Sequence, residues 1–176
     1  MEAVQVILVD EKDNPVGLAE KMEVHQLGLL HRAFSVFIFN SNGDMLLHRR
    51  ALSKYHSGGL WTNACCSHPF PEEEIMDAAL RRLKEEMGFE TKLEKLFEFY
   101  YKADFENGLI EHEYDHVLAG EYEGAMAINE SEVMDYCYKN IEEIRIDLQS
   151  NPEKYTAWFQ IAFPKIEKWW IQQYSN

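Results

Sequence analysis

Residues 33–40 read AFSVFIFN, a run rich in β-branched and aromatic side chains at the length of one strand. Residues 41–44 follow with an Asn-Gly pair, and residues 45–49 form a second short apolar segment. Asparagine and glycine readily adopt the left-handed backbone conformation that tight hairpin turns require. The pattern therefore predicts a β-hairpin, and residues 4–9 predict a further strand nearer the N-terminus.

Residues 71–87 carry the pattern of an amphipathic helix. The segment begins with Pro71 and three glutamates, which suit the positive end of a helix dipole, and it ends before Gly88. Its apolar face is formed by Ile75, Met76, Ala79, Leu80, Leu83 and Met87. The spacing predicts a helix with one buried face.

The second half of the chain continues the alternation of strands and helices. Residues 91–103 and 111–123 predict two strands joined by a turn at residues 106–108, and residues 152–170 predict a helix that Pro164 breaks or kinks. With 176 residues, 46% of them hydrophobic, the chain suits one domain over residues 1–176. We expect an α/β or layered α+β fold, with a mixed sheet flanked by helices.

The charge balance limits the partners that the chain can bind. Lysine and arginine number 17 against 31 acidic residues, which gives a formal charge of -14. This charge argues against nucleic acid and anionic membranes as partners. No segment approaches the roughly 20 apolar residues of a membrane span, and the N-terminus lacks a secretion signal, so we expect a cytoplasmic protein. In that compartment its three cysteines are expected to be reduced thiols.

Residues 61–69, WTNACCSHP, contain the most informative side chains. Cys66 lies two residues before His68, so a candidate acid or nucleophile accompanies a candidate metal ligand. Alone, the pair is equally consistent with an ordinary buried thiol and an incidental histidine. His25 and His31 upstream, together with the acidic segments 85–86 and 111–113 downstream, favour one polar site.

Histidines and carboxylates in this combination suit a divalent metal. Alternation along a strand places Glu111, Glu113 and Asp115 on one face. Three histidines and two glutamates would nearly fill a five- or six-coordinate site. Asp115 could be an extra ligand, but we expect it to be a solvated carboxylate. Residue spacing leaves open whether these ligands meet. For the remaining histidines, His48, His56, His112 and His116, we expect structural or surface roles.

Residues 79–89, ALRRLKEEMGF, resemble the tail of the Nudix box, the diphosphate-handling motif of Nudix hydrolases. Adjacent glutamates one turn from a helix end can hold Mg²⁺ against a diphosphate. Where that motif has Arg-Glu before its apolar position, this chain has Arg81 and Arg82 before Leu83. The loss of one usual metal carboxylate weighs against hydrolysis.

Three further segments carry a more specific resemblance. RRALSK at 49–54, WTN at 61–63 with CSHP at 66–69, and EHE at 111–113 look like type 1 isopentenyl diphosphate isomerases, a Nudix-fold family, and the resemblance extends from about residue 21 to residue 158. It implies a Nudix-like mixed β-sheet core flanked by helices. It also implies metal-dependent, flavin-independent interconversion of isopentenyl and dimethylallyl diphosphate in isoprenoid biosynthesis.

The resemblance implies roles for individual residues. The inner metal, Mn²⁺, Zn²⁺ or Mg²⁺, would be bound by His25, His31, His68, Glu111 and Glu113. A substrate-bound Mg²⁺ would be held by Glu86 with the backbone carbonyl of Cys66. The implied catalytic residues are Cys66, Glu113 and Tyr101. The implied substrate contacts are Trp158 for the isoprenoid tail and Lys21, Arg50, Lys54 and Arg82 for the diphosphate.

The chemistry explains why these residue types belong together. A double bond that moves through a tertiary carbocation needs an acid, a base on the other side and no water to trap the cation. We expect a small-molecule diphosphate substrate and a monomer or weak homodimer. Two alternatives stay open: a Nudix-type hydrolase, which alone would release phosphate, and a metal-dependent binding or sensor module without catalysis.

Overall fold

The computed structural model describes residues 3–174 of the chain. Its strands are β1 (Gln5–Val9), β2 (Pro15–Glu20), β3 (His31–Phe39), β4 (Met45–Arg50), β5 (Trp61–Thr62), β6 (Cys65–Ser67), β7 (Leu93–Asp104), β8 (Ile110–Glu121) and β9 (Val133–Lys139). Its helices are α1 (Lys21–Leu27), α2 (Ile75–Met87), α3 (Ile141–Ser150) and α4 (Ala157–Tyr174). The predicted mixed sheet flanked by helices is confirmed.

Strand β3 organises the sheet. It pairs antiparallel with β1, β4 and β6 and parallel with β8, while β8 pairs antiparallel with β7 on its other side. In this register Glu113 on β8 lies opposite His31 on β3 and opposite Tyr101 on β7. Three candidate site residues are therefore brought together by strand pairing alone.

Both faces of β3 are covered, which explains its nearly continuous apolar sequence. Phe34, Val36 and Ile38 face the helix α2 layer, where the predicted apolar face of α2 packs. Phe37 and Phe39 face the opposite layer, formed largely by α4. Alternate residues of β3 therefore belong to two apolar cores, one beside α2 and one beside α4.

Helix α2 begins at Ile75 and not at Pro71 as predicted. Glu72 has a positive φ of 67°, which is incompatible with a helix, and Glu73 instead accepts a hydrogen bond from the backbone N–H of Phe70. The helix ends as predicted at Gly88, whose φ is 74° and whose N–H donates to the carbonyl of Lys84.

The predicted hairpin at residues 33–49 is only partly correct. Its turn is present, with Gly43 at a φ of 80°, but Phe39 and Met45 form the single paired position between β3 and β4. Strand β6 occupies the pairing positions along residues 34–36 of β3, so β4 pairs mainly with β9 instead. The second predicted hairpin, between β7 and β8, is confirmed with its turn at residues 106–108.

Six strands and helices were absent from the sequence prediction: β2, α1, β5, β6, β9 and α3. Helix α4 begins at Ala157, later than predicted, because residues 152–154 form a short 3-10 turn. Pro164 does not break α4, which continues through it to Tyr174. Among the helices of residues 3–174, none is long and apolar enough to span a membrane.

Candidate active site and metal centre

One cavity gathers most of the candidate residues. Its lining is formed by Lys21, Arg50, Lys54, Tyr55, His56, Cys66, Ser67, His68, Arg82, Glu86, Glu111, Glu113, Glu132 and Trp158. Ten of these fourteen were candidates in the sequence. The remaining candidates adjoin the cavity, since His25 and His31 cluster with His68, and Tyr101 hydrogen-bonds Glu113. The structure therefore brings every sequence-derived candidate to one place.

His25, His31, His68 and Glu113 each place one ligand atom within 4.8 Å of the others. His68 Nε2 lies 3.0 Å from Glu113 Oε1 and 3.1 Å from His31 Nε2, while His31 Nε2 lies 3.6 Å from the same oxygen. Imidazole nitrogens and carboxylate oxygens at these separations form a donor set for a divalent ion.

Backbone carbonyls orient two of the imidazoles. His25 Nδ1 lies 2.6 Å from the carbonyl of Lys21, and His31 Nδ1 lies 2.9 Å from that of Leu29. A carbonyl oxygen can only accept, so Nδ1 must carry the proton, and the neutral form of each ring presents its Nε2 lone pair to the cluster. These lone pairs face a carboxylate, an arrangement that a cation stabilises. The residues therefore fit a metal ion.

The surroundings favour neutral imidazoles, the form that binds metal. Burial lowers the pKa of His25, and burial lowers the pKa of His68 to about 3 despite its hydrogen bond to Glu113. Burial by itself would raise the pKa of Glu113, but the neighbouring rings of His31 and His68 outweigh it and hold that pKa well below the usual range. Burial and the neighbouring Glu113 raise the pKa of Glu111.

Cys66 lies on β6 beside Ser35 of β3, directly opposite it in the strand register. Its Sγ lies 3.1 Å from Asn63 Oδ1, to which it donates, and 3.4 Å from Ser35 Oγ. Removal from water, followed by the charge of Asp115, raises the pKa of the Cys66 thiol. The group is therefore a thiol at neutral pH.

Asp115 was expected to be a solvated carboxylate, and this expectation is wrong. It is only 1% exposed, and its Oδ2 accepts a 2.7 Å hydrogen bond from Ser35 Oγ. The strand alternation placed it correctly on the face of Glu111 and Glu113, but at Asp115 that face is buried and not open to water. Burial, together with the charge of Glu113, raises its pKa.

The cavity is also lined by paired charges. Arg82 forms ion pairs with Glu85 and Glu86, and Lys54 Nζ lies 2.6 Å from Glu132 Oε2. Arg82 also lies 3.7 Å from Glu132. Glu132 was missed in the sequence because it belongs to a loop 46 residues after Glu86 and carries no motif that singles it out.

Arg81 and Arg82 are adjacent in sequence but have different surroundings. Arg81 turns away to pair with Glu73 at 2.8 Å and to cover the ring of Phe70. Arg82 instead lines the cavity beside Glu86. A guanidinium therefore occupies the place where the Nudix motif would supply a carboxylate.

Aromatic side chains close the cavity. Trp158 is 3% exposed, and the Arg50 guanidinium lies 5.1 Å from its ring centre. His56 packs edge-on against Trp158 at 5.7 Å and stacks on Phe105 at 4.7 Å. His56 was expected to have a structural or surface role, and Tyr55 had no predicted role, yet both line the cavity. The feature that could have identified them is their place directly after Lys54, a predicted diphosphate contact.

Within residues 3–174, seven buried side-chain atoms lack a hydrogen-bond partner, and five of them belong to candidate site residues. They are His25 Nε2, Arg50 Nε, Arg82 Nε, Glu111 Oε2 and Trp158 Nε1. Buried polar groups are normally paired, because an unmade hydrogen bond costs about 1–3 kcal/mol. Their concentration at one cavity indicates a site built to bind charged and polar ligands.

The fold and the site together define a class of protein. Residues 29–159 match the family model of the NUDIX domain. Solved structures agree at the level of the fold: a Deinococcus radiodurans protein superimposes with a TM-score of 0.76 at 17% identity, covering 92% of this chain and 98% of its own. A MutT protein from Methanosarcina mazei gives 0.65 at 18% identity, covering 79% and 94%. The chain is a Nudix protein.

Sequence relatives narrow the class. A protein of Aromatoleum aromaticum named isopentenyl-diphosphate Delta-isomerase 2 is 51% identical and covers 92% of this chain and 86% of its own. A Pectobacterium atrosepticum protein named isopentenyl-diphosphate Delta-isomerase is 50% identical over 97% of this chain and 95% of its own. The chain therefore belongs to the isopentenyl-diphosphate Delta-isomerase family.

Proposed function

We infer that the chain interconverts isopentenyl and dimethylallyl diphosphate. The observation that carries this inference is that Cys66, Glu113 and Trp158 line one cavity, which Lys54 and Arg82 line as well. A thiol, a carboxylate and an indole suit proton transfer through a carbocation, while the cationic side chains suit a diphosphate.

The reaction needs two proton transfers. One proton is added to the terminal alkene carbon, which leaves a tertiary carbocation, and another is lost from the carbon nearest the diphosphate-bearing methylene, which forms the new double bond. The substrate gains one proton and loses one, so its composition is unchanged. An acid and a base on opposite sides of the substrate can perform both steps.

We propose that Glu113, assisted by Tyr101, serves one face of the substrate. The phenol of Tyr101 donates to Glu113 Oε2 at 2.9 Å, while Glu113 Oε1 faces His31 and His68. The carboxylate is thus held at both oxygens, which fixes the direction from which it exchanges a proton with the alkene.

Cys66 serves the opposite face in this proposal. Its raised pKa keeps the resting group an uncharged thiol, which can give a proton to the substrate and become a thiolate; in the reverse direction the thiolate takes a proton and becomes the thiol again. The face of Trp158 would stabilise the positive charge by about 2 kcal/mol without capturing it. The buried indole also keeps water from that part of the cavity.

The inner ion would be held by His25, His31, His68, Glu111 and Glu113, and we propose Mn²⁺, Zn²⁺ or Mg²⁺. When bound, it supplies positive charge that fixes Glu113 and favours its ionised form. Glu86, with the backbone carbonyl of Cys66, would hold a Mg²⁺ that neutralises the substrate diphosphate. Lys21, Arg50, Lys54 and Arg82 would bind the remaining phosphate oxygens.

Proton NMR in deuterated water tests the reaction directly. Purified protein with isopentenyl diphosphate and Mg²⁺ should yield dimethylallyl diphosphate carrying deuterium, with no free phosphate. Phosphate release would instead identify a hydrolase. Arg82, which pairs with Glu86, makes hydrolysis less favoured because it stands where the Nudix motif has a metal-binding carboxylate. An unchanged spectrum from folded, metal-loaded protein would favour a binding or sensor role.

We further propose one domain over residues 1–176, acting in the cytoplasm as a monomer or weak homodimer. The formal charge of -14 supports a small-molecule substrate over nucleic acid or an anionic membrane. Sedimentation at several protein concentrations tests the oligomeric state, and a stable assembly larger than a dimer would contradict it.

A further inference from the structure

The buried carboxylate of Asp115 has no part in the proposed mechanism, yet hydrogen bonds connect it to Cys66. Asp115 Oδ2 lies 2.7 Å from Ser35 Oγ, and Ser35 Oγ lies 3.4 Å from Cys66 Sγ. Ser35 is 3% exposed and Asp115 is 1% exposed, so water does not compete for these contacts. A continuous polar chain therefore runs from the core of the sheet to the sulfur.

The direction of each hydrogen bond follows from its partners. Asn63 Nδ2 donates to the carbonyls of Val36 and Cys65, at 2.9 and 3.0 Å, so Asn63 Oδ1 must face Cys66. Ser35 has one hydroxyl hydrogen, which it donates to Asp115, so its oxygen can only accept from the sulfur. Cys66 has one S–H hydrogen, and both Asn63 Oδ1, the nearer at 3.1 Å, and Ser35 Oγ, at 3.4 Å, face it as acceptors. Within residues 3–174, the side-chain hydrogen-bond partners of Cys66 Sγ are these two oxygens.

A structural purpose alone explains Asp115 poorly. Its second oxygen, Oδ1, is buried without a partner in residues 3–174, which costs stability. Val117, two residues further along the same face of β8, belongs to the buried apolar cluster beside α4, and an apolar side chain in place of Asp115 would not carry that cost. The carboxylate is therefore best explained by what it does to Ser35.

We propose that Ser35 and Asp115 are positioning residues for Cys66. Asp115 orients the Ser35 hydroxyl, and Ser35, together with Asn63, holds the thiol in one orientation toward the cavity. Strand pairing supports this role, because Ser35 and Cys66 are direct partners between β3 and β6. The proposal rests on the proposed function, since it assigns these residues to the same reaction.

A double-mutant cycle tests the connection. Ser35→Ala and Asp115→Asn should each lower kcat about tenfold or more while leaving KM within about twofold, because both act on the thiol and not on diphosphate binding. If Asp115 acts through Ser35, adding Asp115→Asn to Ser35→Ala should change kcat by less than about twofold. Two losses that multiply would overturn the proposal, as would wild-type kcat in either single variant.

A spectroscopic reading separates positioning from a general structural effect. The S–H stretching band of Cys66, identified by its loss in Cys66→Ala, should shift in Ser35→Ala and in Asp115→Asn. An unshifted band in both would overturn the proposal. Asp147→Asn is the matched control: it alters a carboxylate that accepts hydrogen bonds from Asn151 and Tyr155 away from the cavity, so both kcat and the band should be unchanged. A wild-type protein inactive with isopentenyl diphosphate would overturn the proposed function, while the band would still test the contact.

Discussion

Tyr101 and Glu113 lie directly opposite each other on antiparallel strands, and the phenol donates to the carboxylate at 2.9 Å. Glu113 is also the direct partner of His31 on the parallel side. One carboxylate is therefore held between a phenol and an imidazole by backbone pairing, without any loop. Because all three side chains are carried by paired strands, their relative positions are fixed as firmly as the sheet itself.

Glu113→Gln should lower kcat about a thousandfold or more, because an amide does not exchange a proton as a carboxylate does and binds metal less well. Tyr101→Phe should cost less, about ten- to a hundredfold in kcat, because it removes only one hydrogen bond to the carboxylate. Steady-state kinetics on both variants check the order. A Tyr101→Phe variant with a lower kcat than Glu113→Gln would contradict these assignments.

Metal loading should stabilise the protein through the histidine cluster. A divalent ion at about a hundred times its dissociation constant should add about 2.7 kcal/mol to the free energy of unfolding. His68→Ala removes one ligand from the centre of the cluster and should abolish most of this gain. Thermal unfolding with and without chelator measures it, and His112→Ala, whose ring bonds the carbonyl of Gly28, is the matched control.

Gly88 should tolerate no side chain. Its φ of 74° disfavours alanine, and an added Cβ would lie 2.2 Å from the carbonyl oxygen of Ala127. Gly88→Ala should cost about 3–5 kcal/mol, from backbone strain and overpacking together. Gly108 has a φ of 79° with nothing within 4 Å of a built Cβ, so Gly108→Ala should cost only about 1–2 kcal/mol. Equal losses in urea unfolding would refute the close approach of Ala127.

Acid should destabilise the protein partly through His48. Burial lowers the pKa of this histidine from 6.5 to about 4, so below pH 6.5 the unfolded chain binds a proton that the folded protein does not. Stability is then lost as pH falls from 6.5 toward 4, by up to about 3 kcal/mol, and is unaffected by His48 above that window. His48→Gln should flatten this dependence in denaturant titrations at pH 5 and pH 7. An unchanged slope would argue against a neutral, buried His48.

The sequence predicted those parts of the fold in which local pattern and tertiary packing agree. The apolar face of α2 and its end at Gly88 are confirmed, because helix spacing and a left-handed glycine are local properties. Helix α1 was missed because it has only seven residues, and β2 because much of it is exposed and lacks alternation. The extent of the β3–β4 hairpin failed because β6, a short strand without a pattern, takes the place of β4 along β3.

Within the site, the sequence supplied residue types and the fold supplied neighbours. Cys66 and His68 were recognisable from their spacing and from a family resemblance. Ser35 was not, because a serine within an apolar strand looks the same whether or not a thiol lies across from it. The misjudged exposure of Asp115 has a similar origin, since alternation reveals which face a residue takes but not what covers that face.

Strand β8 carries Glu111, Glu113 and Asp115 on one face and His112, Tyr114 and His116 on the other. A single inserted or deleted residue ahead of Glu111 in that strand would exchange the two sets, sending the three carboxylates to the side where Tyr114 packs with Ile7 and Val9, and the imidazoles and phenol into the cavity. Length variation in β8 is thus far less tolerable than substitution. Any working variant of this enzyme has to keep the count of residues between its turn at 106–108 and Glu113 unchanged.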